Sequence, residues 1–376
     1  MEPIYLTGCT GYNPEMLQNK VEELFAALNL DRLVTPGGTA VIKPNLIMKS
    51  APSAAIITHP QLVAAVGKHL QNLGARVVIA ESPGGPYTPS VLKGIYQGCG
   101  YTEMAREHGF ALNLDCSHEP LRAPEGRRSK QFDIITPILH ADLVVDIAKL
   151  KSHCMTGMSG AVKNMFGAVP GLMKPELHCR FPDKRHFSEM LVDLCSALKP
   201  QISIVDAVVA MEGNGPTGGH ARFVGALLGG ENPFAVDFVA AHLMAMDPGS
   251  IGMLQNAMDR GLCPRTMNDI MMLGEPVSQY CVPDFQQPES KTSDFIERLP
   301  RFLRPLAEAV AVPIPKIRKK ICVGCGKCAE SCPQHTIVIE NKKAHIQYSD
   351  CIRCYCCHEM CPIKAVDIKR FSLFRL

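Results

Sequence analysis

An α/β body with a mainly parallel open sheet, joined to a small cysteine-rich α+β module, is the architecture this chain predicts. Three observations carry that expectation. Short β-branched runs alternate with helical patterns over the first three hundred residues, the rhythm of parallel strands joined by crossover helices. A proline-punctuated stretch then breaks the rhythm. Finally, eight cysteines near the C-terminus fall into two copies of one spacing.

In chain order, Thr39-Ala-Val-Ile-Lys43 reads as a strand ending at Pro44-Asn45. Pro60, after Thr58 and His59, opens a helix through Leu73 that stops at Gly74, because proline suits a first helical turn and glycine a helix end. Arg76-Val-Val-Ile-Ala80 is a strand ending at Glu81-Ser82-Pro83-Gly84-Gly85. Ala141 to Ile147 is another and runs into Lys149, Lys151, Ser152 and His153. Ile202-Ser-Ile-Val205 leads to Asp206, and Ala221 to Leu228 is a further strand. Pro233 to Met246 is apolar at helical spacing and reads as a buried helix. The expected divisions are a body over 1–282, a linker over 283–318 with one short helix near 293–311, and the cysteine module over 319–376. A basic run, Lys316-Ile-Arg318-Lys319-Lys320, closes the linker. It reads as a solvated connector, or as an attraction for an acidic electron-transfer partner.

The polar and glycine-rich clusters of the body repeatedly follow strand C-termini, where open α/β sheets bind ligands. Lys43 and Asn45, Glu81 and Ser82, the Lys149–His153 segment, and Asp206 with Glu212 are therefore expected to converge. Polar strand-to-helix loops that merely face water are the plainer alternative. The richest stretch is Lys149-Leu-Lys151-Ser-His153-Cys-Met-Thr156-Gly-Met-Ser159-Gly160-Ala-Val-Lys163-Asn164. Small residues at Thr156, Ser159 and Gly160 allow close backbone approach to a ligand, and the following helix is expected to turn its N–H groups on an anion. Lys163 is a candidate point charge, base or nucleophile, and His153 a candidate proton shuttle near neutral pH. Glu81 and Asp206 are weaker acid–base candidates. Lys43, Asn45, Lys149 and Lys151 are expected to bind substrate. Gly213-Asn-Gly215-Pro-Thr-Gly218 matches G-x-G-x-x-G, but a strand follows it and Pro216 interrupts it, so a nicotinamide fingerprint is rejected. No Walker-type loop, H-E-x-x-H or G-x-S-x-G occurs.

Cys322, Cys325, Cys328 and Cys332-Pro333 form a C-x2-C-x2-C-x3-C-P run, and Cys351, Cys354, Cys357 and Cys361-Pro362 repeat it 29 positions later. That is the run of a two-cluster bacterial ferredoxin, in which the fourth cysteine of each copy ligates the other cluster. Soft thiolates suit iron–sulfur centres. The expected ligand sets for two [4Fe-4S] clusters are Cys322, Cys325, Cys328 with Cys361, and Cys351, Cys354, Cys357 with Cys332. Zinc ribbons use paired knuckles at wider separation, and disulfides need an oxidising compartment. Cys356 matches nothing in the first copy and reads as a bystander.

The chain has 376 residues, 46% of them hydrophobic, and a formal charge of +3. That is ample for a large core and shows no basic–aromatic stripe for nucleic acid. No apolar stretch approaches the ~20 residues of a membrane span, and the first residues do not look like a signal peptide. A cytoplasmic protein of a low-oxygen cell is expected, with its oligomeric state open.

Lys43-Pro-Asn45, His59-Pro60 and the Lys149–Gly167 block together resemble the iron–sulfur family known as domain of unknown function 362, which commonly ends in a two-cluster ferredoxin module. His153, Ser159-Gly160 and Lys163, with Pro170-Gly171 behind, are similar to a block of the nickel-pincer lactate racemases, with Ala161 where that block has its second glycine. That likeness implies a cofactor-anchoring role for Lys163, with His153 and His178 in proton or hydride chemistry. The leading expectation is a redox enzyme whose module exchanges electrons with a small anionic substrate in the body. The alternatives are an electron carrier or docking protein for a redox partner, and a racemase or isomerase of a hydroxy acid.

Overall fold

The computed structural model describes residues 2–289 and 312–369, so the helix expected near 293–311 lies outside the described residues. The body is built on β1 (Glu2–Gly8), β2 (Thr39–Pro44), β3 (Arg76–Ile79), β4 (Ala111–Leu112), β7 (Leu143–His153), β8 (Gly157–Ser159), β9 (Ile202–Glu212), β10 (His220–Gly230) and β11 (Ile270–Gly274). They form one sheet in the order β11-β1-β10-β9-β7-β2-β3-β4, with β8 on β7. A separate hairpin joins β5 (His118–Arg122) and β6 (Gln131–Ile135). The pairs through β9, β7, β2, β3 and β4 are parallel. Antiparallel β10 and a parallel β1–β11 pair complete the edge. The sheet is thus mixed and mostly parallel, with helices covering it.

Local sequence accounts for the elements. The helix Pro60–Asn72 starts with proline in its first turn, and the His59 side chain accepts from the Gln61 amide at 3.2 Å. It stops before Gly74, whose φ of +88° suits a residue without Cβ. Two apolar layers sandwich the sheet. Val41, Val144 and Ala148 face one, and Ala40, Ile42, Val145 and Ile147 face the other.

Two strands run further than their apolar stretches suggested. β7 continues through His153 and all eleven of its residues are buried, and β9 continues past Asp206 to Glu212. Polar residues at the ends of these runs look like loop in sequence. They remain strand because neighbouring strands and covering elements bury them.

The module repeats itself in space as in sequence. β12 (Ile314–Ile317), the helix Lys327–Glu330 and β13 (Ile337–Glu340) recur as β14 (Lys343–Ile346), the helix Cys356–Glu359 and β15 (Val366–Lys369). The pairing crosses between copies, β12 with β15 and β13 with β14. β12 falls within the stretch expected to be linker, yet it is paired into the module. Two-stranded ribbons this short cannot bury enough to stand alone. The exchange of strands, and the void each quartet of cysteines surrounds, fuse the halves.

Candidate functional site

The crossing of strands brings the cysteines together in the same crossed sense. Cys322, Cys325, Cys328 and Cys361 wall one void of about 320 Å³, mouth included. Cys332, Cys351, Cys354 and Cys357 wall a second of about 320 Å³. Among the described residues no three His, Cys, Asp or Glu side chains converge tightly enough for a single ion. Four soft donors spread around a void instead suit a polynuclear thiolate-bound group. Cys356 borders neither void.

It borders something else. Between body and module lies a cavity of about 770 Å³ counted to its mouth, of which about 90 Å³ admits the centre of a water molecule. That is room for several waters or one small molecule. The body supplies Asn45 after β2, Glu81 to Gly85 after β3, Ser159, Lys163, Phe166 and Gly167 after β7, and Lys174 and His178 from the helix Met173–Arg180. The module supplies Ser331, Cys356, Glu359 and Met360. The Gly213–Gly218 turn forms the adjoining seam. Asn214 O lies 2.9 Å from His358 Nε2, and the Thr217 hydroxyl donates to Glu359 O at 3.0 Å. A Cβ on Gly218 would come within 2.4 Å of the His358 ring, which explains the glycine. The turn is a docking surface for the module, and the β-strand that follows it agrees with rejecting a nucleotide fingerprint.

Lys163 is the cavity's distinctive charge. Its ammonium has no hydrogen-bond partner among the described residues. It sits 5.5 Å from the Phe166 ring centroid, within cation–π range. Burial lowers its pKa, opposed by Glu359. Lys43 also reaches this side of the sheet, but it is spent on Glu81 at 2.5 Å, both fully buried. A Cβ on Gly167 would fall 2.0 Å from Glu81 Oε1, so only glycine leaves that pair intact. Lys151 donates to Asn45 Oδ1 and to Ile56 O, and burial pushes its pKa well down, with Lys163 adding to the effect.

Two imidazoles lie close by: His178 in the cavity wall, and His153 behind Glu359, where it borders the neighbouring cavity instead. His153 Nε2 lies 3.1 Å from Glu359 Oε1 without the alignment of a hydrogen bond. Burial holds its pKa at about 4. His178 stacks on Phe187 at 4.2 Å, its Nδ1 is buried without a partner, and burial lowers it to about 3. Both rings are therefore neutral. Burial pushes the Glu359 carboxyl up, and the Lys163 ammonium opposes that shift.

Several sequence expectations need correction. The N–H groups of Ala161 and Val162, at the start of the four-residue helix Ala161–Asn164, are taken by the Asp237 carboxylate at 2.6 and 3.0 Å. They do not meet a ligand. Gly160 is glycine because a Cβ there would strike Asp237 at 2.1 Å. The Thr156 hydroxyl donates to Met158 O at 2.8 Å, and Thr156 lines a different cavity. Lys149 and Asp206 leave the expected site altogether. They pair at 2.9 Å on the other face of the sheet, closed over by Tyr12 and His59, which stack at 3.7 Å. The Tyr12 hydroxyl donates to Asp206 at 2.8 Å. Glu212 accepts from the Gln286 amide instead of joining either group.

Lys174, Cys356 and Glu359 were not anticipated. Lys174 donates to Val169 O at 2.6 Å and Ser82 O at 2.7 Å, and burial brings its pKa to about 7. Its one legible signal was its place just beyond Pro170-Gly171. Glu359 and Cys356 lie inside a cysteine run whose spacing points to cluster ligation and carries no sign of a cavity.

The cysteine module and the seam it makes with the body define an iron–sulfur protein with a ferredoxin-type 4Fe-4S domain. The chain belongs to the family described as "Domain of unknown function (DUF362)", whose model matches residues 40–242, and the 4Fe-4S dicluster domain matches residues 314–362. It is 33% identical over 283 residues to the thylakoid-associated protein sll1697 of Synechocystis, covering 73% of this chain and 84% of that one. The lactate racemase apoprotein from Thermoanaerobacterium thermosaccharolyticum is similar at a TM-score of 0.40 and 15% identity, over 65% of this chain and 57% of that one. So distant a likeness carries no argument about the reaction. No helix among the described residues is long and apolar enough to cross a membrane.

Proposed function

We propose that this protein holds two [4Fe-4S] clusters and uses them in the oxidation or reduction of a small anion bound at the seam between body and module. Cys322, Cys325, Cys328 and Cys361 would hold one cluster, and Cys332, Cys351, Cys354 and Cys357 the other. One observation carries the reading: Cys356 and Glu359, embedded in the second cysteine run, wall the same cavity as Lys163. When bound, the clusters supply single electrons, and a pair of them matches a two-electron change in the bound molecule.

The residues of the chain divide the remaining work. Lys163 attracts the negative group of the ligand, since its ammonium is otherwise uncompensated by hydrogen bonds. Phe166, Met360 and the backbone of Gly84 and Gly85 give the cavity a partly apolar, water-poor wall, which strengthens that attraction. Neutral His178, with Nδ1 unpartnered, can give or take a proton as the bound molecule changes charge. His153 faces Glu359 and orients it. Lys43, Glu81 and Lys174 fix the floor rather than touch the reaction.

The test is anaerobic single turnover. Reduced and oxidised protein are mixed with two- to four-carbon carboxylates and with phosphate, and visible absorbance is followed. At least one small anion should change the cluster spectrum in the native protein and not in Lys163→Met. If none does in either redox state, the reading falls.

A further inference from the structure

The clearest feature outside the seam is the outer surface of the module. Five of the eight large apolar side chains exposed among the described residues belong to it; three of them, Val323, Ile339 and Ile363, border the Cys322–Cys361 void, and a fourth, Ile321, directly precedes Cys322 in the chain. Val323 is 62% exposed. Cys325, in the same loop, is the exposed cysteine among the seventeen. Charge is equally uneven. Residues 312–329 carry five lysines and arginines and no acid, on a chain whose whole formal charge is only +3. Arg318 pairs with Asp367, and Lys327 with Glu330. Lys316, Lys319, Lys320 and Lys364 stand exposed with no carboxylate partner among the described residues.

We propose that this surface docks an acidic one-electron carrier protein. An apolar centre ringed by uncompensated lysines is the form of a transient protein interface, where the centre excludes water and the rim steers encounter. Its place decides the kind of partner. The module walls the seam cavity with Cys356, Glu359 and Met360 of the second run and Ser331 of the first, none of which borders the Cys322–Cys361 void, whereas this patch lies at that void beside the exposed Cys325. Carrier and small anion would therefore occupy different sites and never compete for one. An anionic membrane is the other occupant such a patch could meet. A carrier is favoured because the patch centres on the cysteine loop. The choice of partner rests on the redox reading above, but docking can be measured without turnover.

Holoprotein is titrated with an oxidised plant-type two-iron ferredoxin, which is acidic, and in parallel with basic cytochrome c. Ferredoxin should bind with a Kd that rises at least tenfold between 20 and 200 mM salt. K319E/K320E should weaken binding about tenfold, and Val323→Ser several-fold at either salt. K68E/K93E, the same charge change at two exposed positions of the body, should have no effect. Iron and sulfide content of each variant separates loss of docking from loss of clusters. Equal binding of cytochrome c, or indifference to K319E/K320E, would overturn the proposal. So would co-sedimentation with phosphatidylglycerol vesicles that K319E/K320E abolishes while ferredoxin affinity stays unchanged.

Discussion

Two buried lysine–carboxylate pairs stand on neighbouring strands of one sheet, and they have opposite surroundings. Lys43 with Glu81 lies at the floor of the seam cavity, whereas Lys149 with Asp206 lies beneath Tyr12 and His59 on the other face. The residue types and the strand-end positions are the same. What differs is which side of the sheet each lysine faces and whether space was left beside it. A charged pair at a strand end is thus not by itself a site; it becomes part of one only where a cavity and an uncompensated group adjoin it.

The largest effects should come from breaking the closed pair. Asp206→Ala leaves the Lys149 ammonium buried and alone, and should cost about 3–5 kcal/mol in urea unfolding. Small-anion binding at the seam should be unchanged. Glu81→Ala should cost about 1–3 kcal/mol, because cavity water can partner Lys43. Equal losses for the two would mean that the cavity makes no difference to the pair beside it.

Acid should act on the seam. His153 and His178 are neutral in the folded protein, with pKa values lowered by burial to about 4 and about 3. Below the ordinary value of 6.5 the unfolded chain takes up protons that the folded chain refuses. Stability is therefore fully present above that pH and is lost as pH falls toward 4 and then 3, by up to about 1.4 kcal/mol per unit for each ring. His178→Phe should flatten the lower part of that profile in chemical unfolding. An unchanged slope would mean the ring is protonated in place.

Lys163→Met tests the ammonium that lacks a hydrogen-bond partner. Affinity for small carboxylates should fall about tenfold, or about 1.4 kcal/mol, with stability unchanged or raised. The smallest expected effect is that of Cys356→Ser. Iron and sulfide content should stay the same, whereas Cys357→Ser should lower both.

How much of this was legible in the sequence varies with how local the cause is. The cysteine runs were readable because thiolate spacing is set by the group they would hold, and the crossed quartets around the two voids follow the expected sets. The strands and the Pro60 helix were readable from apolar period and from the proline and glycine at its ends. The site was only partly so. Lys163, Asn45, Ser159 and Glu81 meet in one cavity, but Asp237 caps the Ala161 helix from more than seventy positions away, and no local pattern announces such a partner. Lys43 and Lys149 part company because side chains alternate across a strand. Val41 and Ile147, two residues before each, already point to opposite layers. Glu359 and Cys356 enter the cavity only because the Gly213–Gly218 turn receives the module.

The short helix Cys356–Glu359 belongs at once to a cysteine run and to the cavity wall. Should the run fail to acquire the clusters proposed for it, that helix would lose one of its two supports, and the proposed anion site a side. Competence to bind would then be licensed by iron supply: a cell starved of the metal would make a polypeptide that leaves its ligand untouched, with no separate control required.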